Sequence, residues 1–272
     1  MFLGMMSMDY VEVKRWFSQV GAGLIELIYP VAKECPVCRR EPLYRQGIGK
    51  NCLQRISLIT PPICLKCGRP LRLKGEEKGI CSQCNEAQYY FSKARAVGLY
   101  EGALREYLSE FKYRYRPDLG EALGMLLVEW IKLDREYQKS NLIVPIPIHR
   151  QKLELRGYNQ AELLANPLQR YLGVKVRNDI IIRDKLTESQ NSLSKKNRFS
   201  NIANAFRVVN IQGLSGASVL LVDDILTTGA TASEAARVLL RAGALTVKVL
   251  TLAVGVMDTT WLDNSREANL WM

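Results

Sequence analysis

The chain has 272 residues, 47% of them apolar, and a formal net charge of +11. That apolar share supports a real core and excludes wholesale disorder, and the length allows one large domain or two modest ones. The positive excess favours polyanionic partners (phosphorylated metabolites, nucleic acid or anionic lipid) without choosing among them.

Residues 1–30 read as an N-terminal helix. Val13, Trp16, Phe17, Val20 and Leu24 recur at helical spacing, which predicts an amphipathic helix over roughly 10–29. The first eight residues carry no basic side chain, and the apolar stretch "VGAGLIELIYPV" is short and holds Glu26, so no secretory signal is expected. No run approaches membrane-spanning length. A cytoplasmic location follows as an expectation, and disulfides rarely persist there.

Residues 31–92 form a cysteine-rich module, because all seven cysteines fall between Cys35 and Cys84. Cys64-x-x-Cys67 and Cys81-x-x-Cys84 are two close pairs separated by thirteen residues. Two tight turns, each presenting two thiolates, complete a tetrahedral shell for a structural zinc. Gly68, directly after the second thiolate, lets the backbone curl round a metal. Cys35, Cys38 and Cys52 suggest a second site, but position 55, where a fourth cysteine is wanted, holds Arg55. Either that site is degenerate and empty, or a water or another ligand completes it.

From 93 to 256 the pattern changes to alternating strands and helices. "RAVGLY", "NLIVPIPI", "VKVRNDIIIR", "SVLLVDD" and "VKVLTLAV" read as strands. "GALREYLSEFKY", "PDLGEALGMLLVEWIKLDREY", "NQAELLANPLQRYLG" and "TASEAARVLLRAGA" read as helices, with Pro167 expected to kink or divide the third. This alternation predicts an α/β domain with a mostly parallel sheet flanked by helices. The segment 184–204 is long and polar, so it is expected to be functional or disordered. Residues 257–272 show little pattern and are expected to fray.

The stretch "SVLLVDDILTTGAT" carries the chemistry. A buried strand ends in Asp223 and Asp224, and a small-residue turn leads into a helix near Thr231. Ligands of open α/β sheets sit at the carboxyl ends of strands. The turn's N–H groups, the hydroxyls of Thr227, Thr228 and Thr231, and the helix N-terminus can surround a phosphate, with Gly229 allowing close approach. The carboxylates suit a neighbouring diol or a magnesium ion. Together they demand a sugar 5-phosphate with a free diol; the plainer alternative is an aspartate capping the next helix.

This stretch is similar to the phosphoribosyl-pyrophosphate (PRPP) motif of type I phosphoribosyltransferases. With the cysteine module, "VPIPIHRQKLELRGYNQAELLA" and "ESQNSLSKKNRFSNIANAF", the chain resembles the ComF family of competence proteins over about residues 25–255. The resemblance implies a type I phosphoribosyltransferase-like domain behind a zinc-ribbon-like module, with Asp223 and Asp224 as the catalytic pair. It implies that His149, Arg150, Lys152 and Arg156 meet pyrophosphate, as charge-assisted contacts would. Lys185, Lys195, Lys196 and Arg198 then belong to a mobile loop that closes over the site. Lys112, in "FKYRYRPD", also resembles a family position.

Implied ligands are PRPP or a related phosphorylated ribose with Mg²⁺, and the implied role is DNA uptake in natural transformation. Three readings stay open: a phosphoribosyltransferase of nucleotide metabolism, a factor that handles single-stranded DNA alongside the uptake machinery, and a PRPP-sensing regulator. The second draws on the spread of basic residues, with Arg39, Arg40, Arg69 and Arg72 in the module and Lys112, Arg114 and Arg116 beyond it.

Overall fold

Strands and helices alternate from residue 93 onward, as the patterning predicts. The computed structural model describes residues 34–44, 47–71, 78–185 and 201–255. The expected helix over 10–29, Lys195, Lys196 and Arg198 of the polar loop, and the tail from 256 lie outside the described residues. In chain order the elements are α1 (Lys50–Gln54), α2 (Ser82–Glu86), β1 (Lys93–Leu99), α3 (Gly102–Tyr113), α4 (Leu119–Ile131), α5 (Arg135–Gln138) and β2 (Leu142–Pro145). There follow α6 (Arg150–Arg156), α7 (Gln160–Leu172), β3 (Ile181–Arg183), β4 (Phe206–Val208), β5 (Ser218–Leu226), α8 (Ala230–Arg241) and β6 (Thr246–Val254).

Four strands make one parallel sheet in the order β1-β6-β5-β2. β5 sits inside it, which explains its unbroken apolar run. Val219 and Leu221 enter the core on one face, and Leu220 and Val222 the core on the other. The first core is closed by Ala232, Ala235, Ala236 and Leu239 of α8. The second is closed by α3, α4 and α7, through Leu104, Leu108, Leu123, Leu127, Leu164 and Leu168. Each such leucine contributes roughly 1.5–3 kcal/mol by leaving water.

Two expectations change. Pro167 neither divides nor ends α7, which runs from Gln160 to Leu172 through it. A Cβ on Gly124 would lie 2.7 Å from Pro167 Cγ and 2.9 Å from the Leu164 carbonyl oxygen. The close α4–α7 packing that this glycine permits holds the helix past the missing N–H. The segment "VKVRNDIIIR" is not one strand. Val176 makes a single parallel bridge to Ile143, and the chain then bends before β3, which pairs antiparallel with β4. The bend is fixed by Asp179, whose carboxylate accepts from Arg177 at 2.6 and 2.8 Å and from Asn210 at 2.7 Å. The polar loop therefore springs from a two-stranded ribbon.

The cysteine region joins the main core. Cys64, Cys67 and Cys81 belong to the α8-side core, and Cys35 and Cys52 to the opposite one. Between them, residues 57–59 cover the edge of β1: Ile59 N–H donates to Val97 O at 3.1 Å, and Leu99 N–H donates to Ser57 O at 2.8 Å. An edge strand so covered is closed to pairing with other chains.

Candidate functional site

The carboxyl end of β5 opens into a cavity of about 680 Å³. Asp223 is half-buried and Asp224 is 7% exposed. Asp224 N–H donates to Asp223 Oδ1 at 2.9 Å, so the two carboxylates are held at one spot. Lys112, from the last turn of α3, places Nζ 2.5 Å from Asp224 Oδ2. Burial disfavours the lysine's charge, but the Asp224 carboxylate outweighs it and raises the Lys112 pKa. Burial, reinforced by the Asp224 charge, pushes the Asp223 carboxyl up to about 8.

Opposite the carboxylates stand Lys152 and Arg156 of α6 and Arg183 at the end of β3. Burial first, then Arg183, Arg156 and Lys112, lower the Lys152 pKa. Lys112, Lys152, Arg156 and Arg183 together bring four cations to one cavity, an arrangement that a multiply charged anion would relieve. The third wall is the turn after β5, where Thr227, Gly229 and Thr231 line the cavity and α8 begins. Gly229 has φ +81°, and a Cβ there would lie 2.8 Å from Tyr89 Cε1. The left-handed backbone and the tyrosine both demand glycine at this residue.

Some expected residues stand elsewhere. Thr228 is wholly buried, and its Oγ1 accepts from Ala230 N–H at 3.4 Å, so its hydroxyl faces the start of α8 and not the cavity. His149 caps α6, its Nδ1 accepting from Gln151 N–H at 3.3 Å. Arg150 is 87% exposed and pairs with Glu154 at 2.9 Å. Neither His149 nor Arg150 lines the cavity. Asn159 caps α7, its Oδ1 accepting from Ala161 N–H at 3.2 Å. Arg183 was missed by sequence reasoning, whereas the rim residues Tyr113 and Tyr115 belong to "FKYRYRP", whose aromatics among positive charges suit base stacking. The signal for Arg183 was its place just before the polar loop.

The turn is braced from outside by the cysteine region. Tyr89 OH and Gln83 Nε2 donate to Thr228 O at 2.7 and 2.9 Å. Arg69, 6% exposed, donates to the carbonyls of Gly255 at 3.0 Å, of Leu226 at 3.5 Å, and of Thr227. Arg69 is therefore a buried clamp, not part of a basic surface. Arg116 is likewise engaged, on Asp118 at 2.7 Å, on Glu110 at 3.4 Å and on the Pro36 carbonyl.

The ligand atoms of Cys64, Cys67, Cys81 and Cys84 lie within 4.8 Å of one another. Cys81 N–H donates to Cys64 Sγ at 3.4 Å. Four converging thiols, three of them buried, with a backbone donor on one sulfur, fit a structural zinc. Cys35, Cys38 and Cys52 converge as well.

The parallel sheet, the acidic strand end with its glycine turn, and the four-cysteine cluster define a phosphoribosyltransferase-type domain joined to a zinc ribbon. Residues 24–85 match the double zinc ribbon domain, and residues 159–265 the phosphoribosyl transferase domain. The chain is 33% identical to the DNA utilization protein YhgH of Salmonella typhi over 79% of its length and 94% of that protein's. It is 30% identical to competence protein F of Haemophilus influenzae over 80% and 96%. With competence protein ComFC of Bacillus subtilis it shares 29% identity over 71% and 78%. It belongs to the ComF family of competence proteins. A purine phosphoribosyltransferase from Pyrococcus horikoshii matches at 18% identity with a TM-score of 0.30, over 47% of this chain and 69% of that one. No helix among the described residues is long and apolar enough to cross a membrane.

Proposed function

We propose that the cavity binds PRPP or a related ribose 5-phosphate with Mg²⁺, and that this binding serves the handling of incoming DNA. One observation carries the reading: an acidic pair, a glycine turn at a helix N-terminus and four cations line one cavity of about 680 Å³. The N-terminus of α8 with Thr227 and Thr231 receives the 5-phosphate. Asp223 and Asp224 orient the ribose diol, and Lys152, Arg156 and Arg183 hold the pyrophosphate. Lys112 holds the Asp224 side chain in place through their ion pair. Bound Mg²⁺, held through the same carboxylates, supplies charge neutralisation of a departing pyrophosphate. In sequence the expected loop cations Lys195, Lys196 and Arg198 fall between β3 and β4, and the end of β3 supplies Arg183 to the cavity.

The names of the relatives, competence protein and DNA utilization protein, support a DNA-linked role, which this reading places in the cytoplasm. Calorimetric titration of the chain with PRPP and Mg²⁺, then pyrophosphate-release assays across nucleobases and ammonia, test the proposal. Saturable binding that Asp224→Ala weakens supports it, and no binding by the wild type overturns it.

One further observation favours direct contact with single-stranded DNA at the same mouth. Tyr113 and Tyr115 are each 72% exposed on the cavity rim, and the Arg156 guanidinium lies 5.6 Å from the Tyr113 ring centre. Aromatic faces among cations stack bases with little sequence preference.

A further inference from the structure

Position 55, where a second four-cysteine ribbon would have its last thiolate, holds an arginine. Its side chain is 59% exposed and paired with Glu106 at 3.2 Å. Yet the other three cysteines of that half still converge, and a carboxylate converges with them. The ligand atoms of Cys35, Cys38, Glu41 and Cys52 all lie within 4.8 Å of one another. We propose that Glu41 is the fourth protein ligand of a second metal centre, a three-thiolate, one-carboxylate site formed with Cys35, Cys38 and Cys52.

The double zinc ribbon match frames two metal-binding halves, but nothing in it supplies a ligand for the missing cysteine. Three features point to Glu41. First, its carboxylate is placed, not free: Oε1 accepts from Cys52 N–H at 3.1 Å, and Oε2 from Asn51 N–H at 3.1 Å. A carboxylate offers about four lone-pair directions, so both bonds leave room for a metal. Second, the Cys38 thiol lies 3.6 Å from Oε1, a separation suited to two ligands of one small cation. Third, Gly49 makes room. A Cβ built there would overlap the Glu41 side chain, so this glycine keeps open the space that the carboxylate fills.

The chemistry is consistent. Zn²⁺ accepts carboxylate oxygen at about 2.0–2.2 Å beside thiolate sulfur at about 2.3 Å. Three thiolates and one carboxylate carry the same total charge as four thiolates, so the site is electrostatically equivalent to its neighbour. It differs in one hard ligand among soft ones, which favours faster metal exchange than in the four-thiolate site. The two halves of the ribbon would then differ in lability, with the four-thiolate site fixed and the site of Cys35, Cys38, Glu41 and Cys52 exchangeable.

Cadmium-113 spectroscopy of the full chain tests this. The wild type is expected to bind two equivalents of ¹¹³Cd²⁺ and give two resonances. One belongs to the four-thiolate site, and the other lies upfield, where three thiolates and one oxygen resonate. Glu41→Gln should move or remove only the upfield resonance and lower that site's affinity by at least about 100-fold, because losing a direct ligand costs more than the roughly 10–100-fold of an outer-shell change. The unmoved downfield resonance reports that the variant is folded. A wild-type readout keeps the test independent of the variant's folding. In protein labelled with carboxyl-¹³C glutamate, the resonance absent from Glu41→Gln should shift as the second equivalent enters. One bound equivalent, an upfield resonance identical in Glu41→Gln, or a Glu41 carboxyl unmoved by the second equivalent would each overturn the proposal.

Discussion

Lys112 and Asp224 form a close, largely buried ion pair in the cavity, at 2.5 Å with side chains 19% and 9% exposed. Removing one partner of such a pair strands the other charge, at a cost near 3 kcal/mol. Lys112→Met is therefore expected to lower unfolding free energy by about 3 kcal/mol, and Lys112→Met with Asp224→Asn to recover most of it. Urea unfolding of both variants is the measurement; equal losses in the two would show that no coupling exists. Asp223 has the opposite character. Burial and the Asp224 charge hold its proton up to about pH 8, whereas the unfolded chain loses it in the usual carboxylate range. The folded state thus binds more protons across that window, and stability falls as pH rises through it. Asp223→Asn should abolish this fall, giving a flatter stability profile between about pH 5 and 8 and a larger advantage over the wild type at the alkaline end. A wild type with no decline over that range would contradict the assignment.

The turn after β5 shows how elements share a task. Its inner side faces the cavity, and its carbonyls are held from behind by Arg69, Gln83 and Tyr89 of the cysteine region. Arg69→Ala leaves carbonyls of Leu226, Thr227 and Gly255 without this donor, a loss of about 2–4 kcal/mol for a charged, buried group. Tyr89→Phe removes one hydrogen bond and should cost about 1 kcal/mol. Both should weaken PRPP binding without touching the ligand, and Arg69→Ala more than Tyr89→Phe. If titration finds affinity unchanged in Arg69→Ala, the clamp is structural alone. The strand, its acidic end and the glycine turn were legible in sequence because each is local: an apolar run, two carboxylates, then glycine before a helix. The four-cysteine spacing was legible for the same reason. The clamp was not, because Arg69 and Thr227 are far apart in the chain and an arginine beside a zinc turn looks like any surface cation. Arg116 misled in the same way, its charge being spent on Asp118, Glu110 and the Pro36 carbonyl. Thr228 misled differently. Next to two threonines that line the cavity, its identity could not show which way its hydroxyl turns.

At the scale of the whole molecule, the composition shift at residue 93 suggests a separate module, and the packing denies it independence. Its two cysteine sets enter the two cores on opposite faces of the sheet, and residues 57–59 complete the edge of β1. Cys64, Cys67 and Cys81 are each at most 5% exposed, in the same core as Val219 and Leu221 of the central strand. Metal binding by such a set is folding free energy, since the unfolded chain has no preformed site. Losing the metal leaves thiols gathered in the core without the ion that holds them together, and the disturbance reaches β5 and the turn that Arg69 braces. Chelating the zinc is therefore expected to lower the melting temperature of the whole chain in one transition, and to abolish PRPP binding along with it. Cys67→Ser should do the same without a chelator. Differential scanning calorimetry decides the matter. A phosphoribosyltransferase-type domain that stood alone would melt at an unchanged temperature after zinc removal, with the lost module appearing as a separate, earlier transition. A shared core predicts that no such unmoved transition survives.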